Sequence, residues 1–514
     1  MNEADIILKS ASIFTANDSK PINGYVAIKG NKIIEVAAGD PTVGLIGDHT
    51  QVIRFGDKTI CPGFGDTHTF FTGYIIDDLG ADLTEIDSSK DLKKIIEKEL
   101  ETDKEVIFGH NLKEKFLTND EIETYIDGLA KPVVLFTPGH GTFLMNTKAS
   151  RFEISPNRTN SEALVNLMSV YLRDKDFVIK ELENYMKMLN RHGVTSVKEM
   201  TFDYSYGLKE IFKRLEDQKK LTIRFSFMSQ QVREKMDVSY GIQMKEKYNS
   251  DFVTFSGFNQ MTDGLIVDDA GDLLKPYEGT ESCGIKKIDY EDLEKQVLEA
   301  DRNDLRFTLH SEGDGAFHRI LNIYEKCQHT VTGKLVNRHG ITDLELTTAN
   351  DRKRMASMGI FGEAYVQMLM TDTAENWIDS VTKKVGAKRF KEYLNLRGLK
   401  DQGVILSAAT DLPFMIPSVP ESIYYGCFNY AKDKNEKVNP QNALTISEML
   451  KTWTANAQYA LCKEEILGTL EAGKLADIAV FDKNIFKAEE EEILSMEVVM
   501  TIVDGKVVYE KEEK

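Results

Sequence analysis

Between residues 59 and 409, short apolar, β-branched stretches alternate with amphipathic helical ones. Strands are expected at 59–64, 193–197, 222–228, 251–258, 306–310, 335–341, 359–365 and 404–409. Helical spacing fills intervals such as 177–191, 290–302, 314–328 and 344–358. This order implies parallel βαβ units, because parallel strands need a crossover long enough to hold a helix. Eight such units close as an α/β fold of the (β/α)8 TIM-type barrel class, with any active site at the C-terminal strand ends. A doubly wound open sheet is the alternative, but no GxGxxG follows any of these strands.

Both chain ends read differently. Residues 4–16, 24–37, 51–60, 475–481 and 498–509 are rich in β-formers. Gly30-Asn31 and Asp504-Gly505 are hairpin signals. One composite β-sandwich domain is expected from 1–58 plus 465–514, around a barrel of 59–464. The interval after the first strand is far longer than one helix needs, and 131–137 reads as a strand within it. It implies an inserted α+β subdomain at about 72–175 over the barrel mouth.

Lys and Arg total 64 against 83 Asp and Glu, a formal charge of −19. That field repels phosphate backbones, so nucleic acid is not an expected partner. No apolar run approaches the ~18 residues a membrane span requires. The first residues carry acids and lack an apolar run before a small-residue cleavage site, so they do not read as a signal peptide. Cys61, Cys283, Cys327, Cys427 and Cys462 are scattered without a CxxC pair. That usage suggests a reducing, cytoplasmic setting. A small-molecule substrate is the expected partner, and a homo-oligomer stays open.

Polar residues recur at the predicted C-terminal strand ends: His68, Lys198 with Glu199, Asn259, His310, Asp343 and Asp411. Two histidines and a carboxylate from separate strands can converge at a barrel mouth. Imidazole nitrogen and carboxylate oxygen suit zinc and related divalent ions. Three protein ligands leave room for a water whose pKa the metal lowers towards about 7. Taken singly, each residue has an ordinary reading as a hydrogen-bonding group or turn former. Lys198 could supply an interior ammonium or simply snorkel to solvent.

These stretches resemble the amidohydrolase superfamily, in the branch that includes N-substituted formamide deformylase. The resemblance runs over nearly the whole chain. KTICPGFGDTHTF resembles the strand-one motif, and PGHGTFLMNTKA a pocket segment carrying His140 and Asn146. MTDG, with Asp263, HSEGD, RHGI and ATDLPF are similar to the segments at strands four, five, six and eight. GTLEAGKLADIAVFD resembles the return to the terminal β-domain. The resemblance implies hydrolysis of a non-peptide C–N bond by metal-activated water, with Asp411 as general base and then general acid. It implies His68, His310 and Asp411 as metal ligands, and His140 and Asp263 as substrate-binding residues. The departures are specific. Phe70 stands where a second histidine is usual, Asn259 where a carboxylatable lysine is usual, and Asp343 at or near the strand-six histidine. At most one divalent ion, zinc by ligand type, is therefore expected, or none; Asp343, Asn259 and Lys198 are further metal or pocket candidates. The two functional expectations are a mononuclear hydrolase and a metal-depleted homologue that binds a small molecule without hydrolysing it.

Overall fold

The computed structural model describes residues 3–76, 79–138, 142–149, 171–201, 207–230, 235–284 and 288–512. Strands Ile6–Ile13, Ile22–Lys29, Lys32–Ala38, Gln51–Arg54 and Thr59–Pro62 share one eight-stranded sheet with Ile478–Phe481, Val498–Val503 and Lys506–Glu510. The seam between the two ends pairs Ile60 with Val480 in antiparallel register. Alternate side chains of a strand face opposite ways. Leu8, Val26 and Ile28 accordingly enter one apolar cluster with Ile478 and Ile502, while Ile7, Tyr25 and Ala27 enter another. In the last hairpin, Asp504 and Gly505 take φ of 53° and 74°, the left-handed pair a type I′ turn requires.

The second eight-stranded sheet is parallel throughout. Its strands are β1 (Phe64–Thr69), β2 (Val194–Thr201), β3 (Arg224–Gln230), β4 (Val253–Gln260), β5 (Phe307–Ser311), β6 (Gly340–Asp343), β7 (Phe361–Ala364) and β8 (Leu406–Ala408). Residues just past β8 return to β1: Asp411 N–H donates to His68 O at 3.0 Å, and Phe70 N–H to Leu412 O at 2.8 Å. The result is a nearly closed (β/α)8 barrel. Helices such as Lys175–Arg191, Leu208–Asp217, Tyr290–Arg302 and Asp314–Tyr324 alternate with the strands. Their amphipathic spacing explains the packing: Val178, Leu182, Tyr185 and Leu189 recur on the buried face of the first.

Two strands lie elsewhere than the residue pattern suggests. Residues 59–62 stay in the terminal sheet, and the barrel begins only after Gly63, whose N–H donates to Asp477 O. The sixth strand is Gly340–Asp343 rather than 335–341. There Leu335 and Val336 are held by Met358 O and Gln328 O instead of a ladder, and Val336 is half exposed. A β-bulge interrupts β4 between Phe255 and Phe258. Gly257 at the bulge has φ of 101°, and a Cβ there would lie 2.2 Å from Arg306 O, so only glycine fits.

The chain after β1 builds a separate four-stranded sheet from Ala81–Asp82, Ile107–His110, Val133–Phe136 and Phe143–Met145. Helices Ser89–Leu100 and Asp120–Asp127 pack on it through Leu92, Ile96, Ile122 and Ile126. At the other end of the barrel, Arg224 at the start of β3 grips Asp477 of the terminal sheet with two bonds, 2.8 and 2.9 Å long. All these partners are buried.

Candidate active site at the barrel mouth

Side chains from five barrel strands, with the residues that follow β8, meet inside and just above the barrel. His68 of β1 presents Nδ1 to Glu363 Oε2 of β7 at 3.3 Å. Its other nitrogen, Nε2, faces Asp411 Oδ1 at 3.8 Å. Lys198 of β2 reaches across the interior to Glu363 Oε1 and donates to Thr308 Oγ1 of β5 at 3.2 Å. Neither Lys198 nor Glu363 has any solvent exposure. Lys198 therefore points into the barrel, not outward to solvent. Glu363, like Glu312 and Asp66, is a residue of this site that the residue pattern did not single out. Its signal was present, because a lone carboxylate inside the apolar stretch 359–365 must find a partner if it is buried.

His310 of β5 forms a second group. Its Nε2 lies 3.5 Å from Asp343 Oδ2 and 3.6 Å from Glu312 Oε1, and its Nδ1 lies 3.3 Å from Asp263 Oδ1. Asp263 also accepts backbone N–H groups of Glu312, Gly313 and Asp272 at 3.1, 2.8 and 3.0 Å. Its lone pairs are thus committed within the chain. Asn259 donates to Gln230 Oε1 at 2.9 Å. Its own carbonyl oxygen is buried without a hydrogen bond. His140 falls outside the described residues, whereas Asn146 is buried and braces Lys131 O and Ile126 O.

The backbone fixes where these groups point. Asp66 accepts N–H from His68 at 3.3 Å and from Thr410 at 3.2 Å, so one buried carboxyl ties β1 to the residues after β8. Asp343 and Asp411 adopt left-handed φ of 72° and 53°. Aspartate reaches that region more readily than most residues, and such conformations gather at functional sites.

The charges follow from this packing. Burial holds His68 well below the ordinary histidine range, and the cations Lys198 and His310 add to that effect. His68 is a neutral imidazole. His310 is held well above the ordinary range: burial opposes its charge, but Asp343, Asp263 and Glu312 outweigh burial. It is an imidazolium. Burial, then the charge of Asp343, pushes Asp411 up to about 8. Its side chain remains 34% exposed, so it opens onto the mouth. Burial pushes Asp343 up to about 7 against the pull of His310. Burial also drives Lys198 well below the ordinary lysine range.

The family resemblance points to a divalent metal, and the donors can be tested for fit. Ligands about 2.0–2.2 Å from one ion lie roughly 3.5 Å apart. His68 with Asp411 and His310 with Asp343 each meet that spacing as a pair. Among the described residues, however, the ligand atoms of His68, His310 and Asp411 do not all come within 4.8 Å of one another. The Phe70 ring lies 5.4 Å from the His68 ring, tilted by 57°, and offers no lone pair. These residues do not fit the expected three-ligand centre. Asp301, Cys327 and His339 do gather that closely. They lie at the opposite end of the barrel, where His339 Nδ1 accepts the N–H of Phe307 and Nε2 donates to Asp301. Both ring nitrogens are spent.

Comparison with known proteins agrees with the fold. The chain is 22% identical to Protein LONG AFTER FAR-RED 3 of Arabidopsis thaliana over 98% of this chain and 92% of that one. It is 21% identical to N-substituted formamide deformylase of Arthrobacter pascens over 99% and 98%. A metal-dependent hydrolase of Pyrococcus horikoshii superposes with a TM-score of 0.75 at 20% identity, covering 95% of this chain and 99% of that one. Residues 51–509 match the amidohydrolase family, and the chain belongs to it.

Proposed function

We propose that this chain hydrolyses a non-peptide carbon–nitrogen bond of a small molecule, an amide or close relative, at the barrel mouth. The observation that carries this reading is Asp411. Its carboxyl stands at the end of the barrel, opens to solvent and lies beside the neutral His68. With a pKa near 8 it can hold a proton at neutral pH and deliver it to a departing amine. His310, charged and enclosed by carboxylates, places a hydrogen-bond donor in the same mouth. The likeness to a formamide deformylase supports N-substituted formamides as the first compounds to try. Five cysteines, all free, support a reducing cytoplasmic setting.

A second reading, a pocket that binds such a molecule without cleaving it, is favoured by Phe70, Asn259 and Asp343 at the three altered positions. One experiment separates the two. Purified protein is assayed against a panel of N-substituted formamides and other small amides, with chelator and with each divalent metal added. The hydrolytic reading expects turnover that Asp411→Asn lowers at least about 100-fold. Binding by calorimetry with no turnover under any condition supports the second reading and sinks the first.

A further inference from the structure

Lys198, Glu363 and His68 form a continuous chain of contacts from the barrel interior to its mouth. Lys198 touches Glu363 Oε1, and Glu363 Oε2 lies 3.3 Å from His68 Nδ1. Lys198 Nζ is further fixed by Thr308 and lies 5.5 Å above the Phe361 ring. A carboxylate beside Nδ1 makes that nitrogen the protonated one. The free lone pair then sits on Nε2, the atom that faces Asp411 and the mouth. An imidazole held this way by a buried acid is the arrangement that makes histidine a general base.

We infer that His68 activates water at this mouth, oriented by Glu363, which Lys198 fixes in turn. This relay occupies the place where the donor geometry fails to close a metal centre. The inference rests on the hydrolytic reading above. In the step it describes, His68 Nε2 takes a proton from water as the oxygen bonds to the carbonyl carbon. The resulting oxyanion expels the amine as the C–N bond breaks. The amine takes a proton from Asp411, and Asp411 regains one from the imidazolium. Carboxylic acid and amine leave, and every group returns to its starting state. His68 and Asp411 are the catalytic residues; Glu363 and Lys198 are positioning residues.

The test reads the ring nitrogens directly. The full chain has nine histidines, so 15N-histidine labelling gives a tractable spectrum, with His68→Gln assigning the resonance. The expected wild-type signal is a neutral ring protonated at Nδ1, unmoved by one equivalent of zinc. Glu363→Leu alone leaves the buried Lys198 without its partner and can fail to fold. The double variant Lys198→Met/Glu363→Leu removes both charges together. In it the fixed tautomer should give way to a mixture, with kcat about 100-fold lower and KM within about twofold. Turnover of the wild type should survive chelation with less than a twofold change. A His68 resonance that zinc shifts, an Nε2-protonated ring, or turnover lost on chelation and restored by zinc would overturn the relay. Absence of all turnover alongside the Nδ1-protonated ring fails the hydrolytic reading while keeping the positioning by Glu363.

Discussion

His310 and four carboxyls in and above the barrel give stability a falling trend with pH. Asp66 and Asp343 are pushed up to about 7, and Glu199 and Asp411 up to about 8, chiefly by burial. In the unfolded chain such groups titrate near 4. Between those values the folded state binds more protons than the unfolded state, so stability falls as pH rises. Their contribution is complete below about pH 4 and is lost progressively up to about pH 8. His310 acts in the same direction, since its raised pKa gives stability that is lost as pH climbs through the folded value; His68, His339 and Lys198, held below their ordinary ranges, act the other way and offset part of it. Urea unfolding at pH 6 and pH 8.5 should therefore give the higher midpoint at pH 6, and Asp343→Asn should flatten the difference. An unchanged or reversed order would contradict these shifts. The residues at this scale were largely legible beforehand. His68, Lys198, His310, Asp343 and Asp411 show because each interrupts an apolar stretch at its C-terminal end. Glu363 is harder to pick out because it sits within an apolar strand rather than at its end, and only its being a lone buried carboxylate marks it. Whether donors converge to within a bond length of one ion is a matter of fractions of an ångström, which spacing along a chain cannot supply.

At the scale of elements, the barrel strands were legible as strands but not always in their ends. Residues 59–64 read as one strand, yet they divide between two sheets at Gly63. The division is hard to mark because the chain runs straight from one buried strand into the next with only Gly63 between them. The sixth strand slipped because Leu335 and Val336 look like strand residues but donate their N–H groups to Met358 O and Gln328 O rather than to a barrel ladder. The bulge in β4 was likewise hidden, although it sets which way Asn259 and Gln260 face at the mouth. Gly257→Ala should cost more than about 1 kcal/mol, since the left-handed φ and the contact with Arg306 O both oppose a side chain. Thermal unfolding of that variant measures it, and a neutral result would mean that the bulge relaxes freely.

The whole molecule depends on the joint between barrel and terminal sheet. Arg224 and Asp477 form a buried bidentate pair there, with Asp504 Oδ1 a further 3.4 Å from the guanidinium. Removing one member of such a pair leaves the other charge buried, at a cost of about 3–5 kcal/mol. Arg224→Met should lower the urea midpoint accordingly, and Arg224→Met/Asp477→Leu should recover much of the loss. If the single variant is as stable as the parent, the pair contributes nothing to the joint.

The seam that pairs Ile60 with Val480 also has a consequence in time. During synthesis the first strands leave the ribosome long before their partners exist. At about 5–20 residues per second, the wait is on the order of tens of seconds. Throughout it the edge of Thr59–Pro62 has no neighbour at Ile478–Phe481, and an unpaired edge invites pairing with other chains. The newborn protein therefore passes through a long interval in which a holding chaperone matters more than it does to the finished fold. A message truncated before residue 478 would yield a chain left in that state.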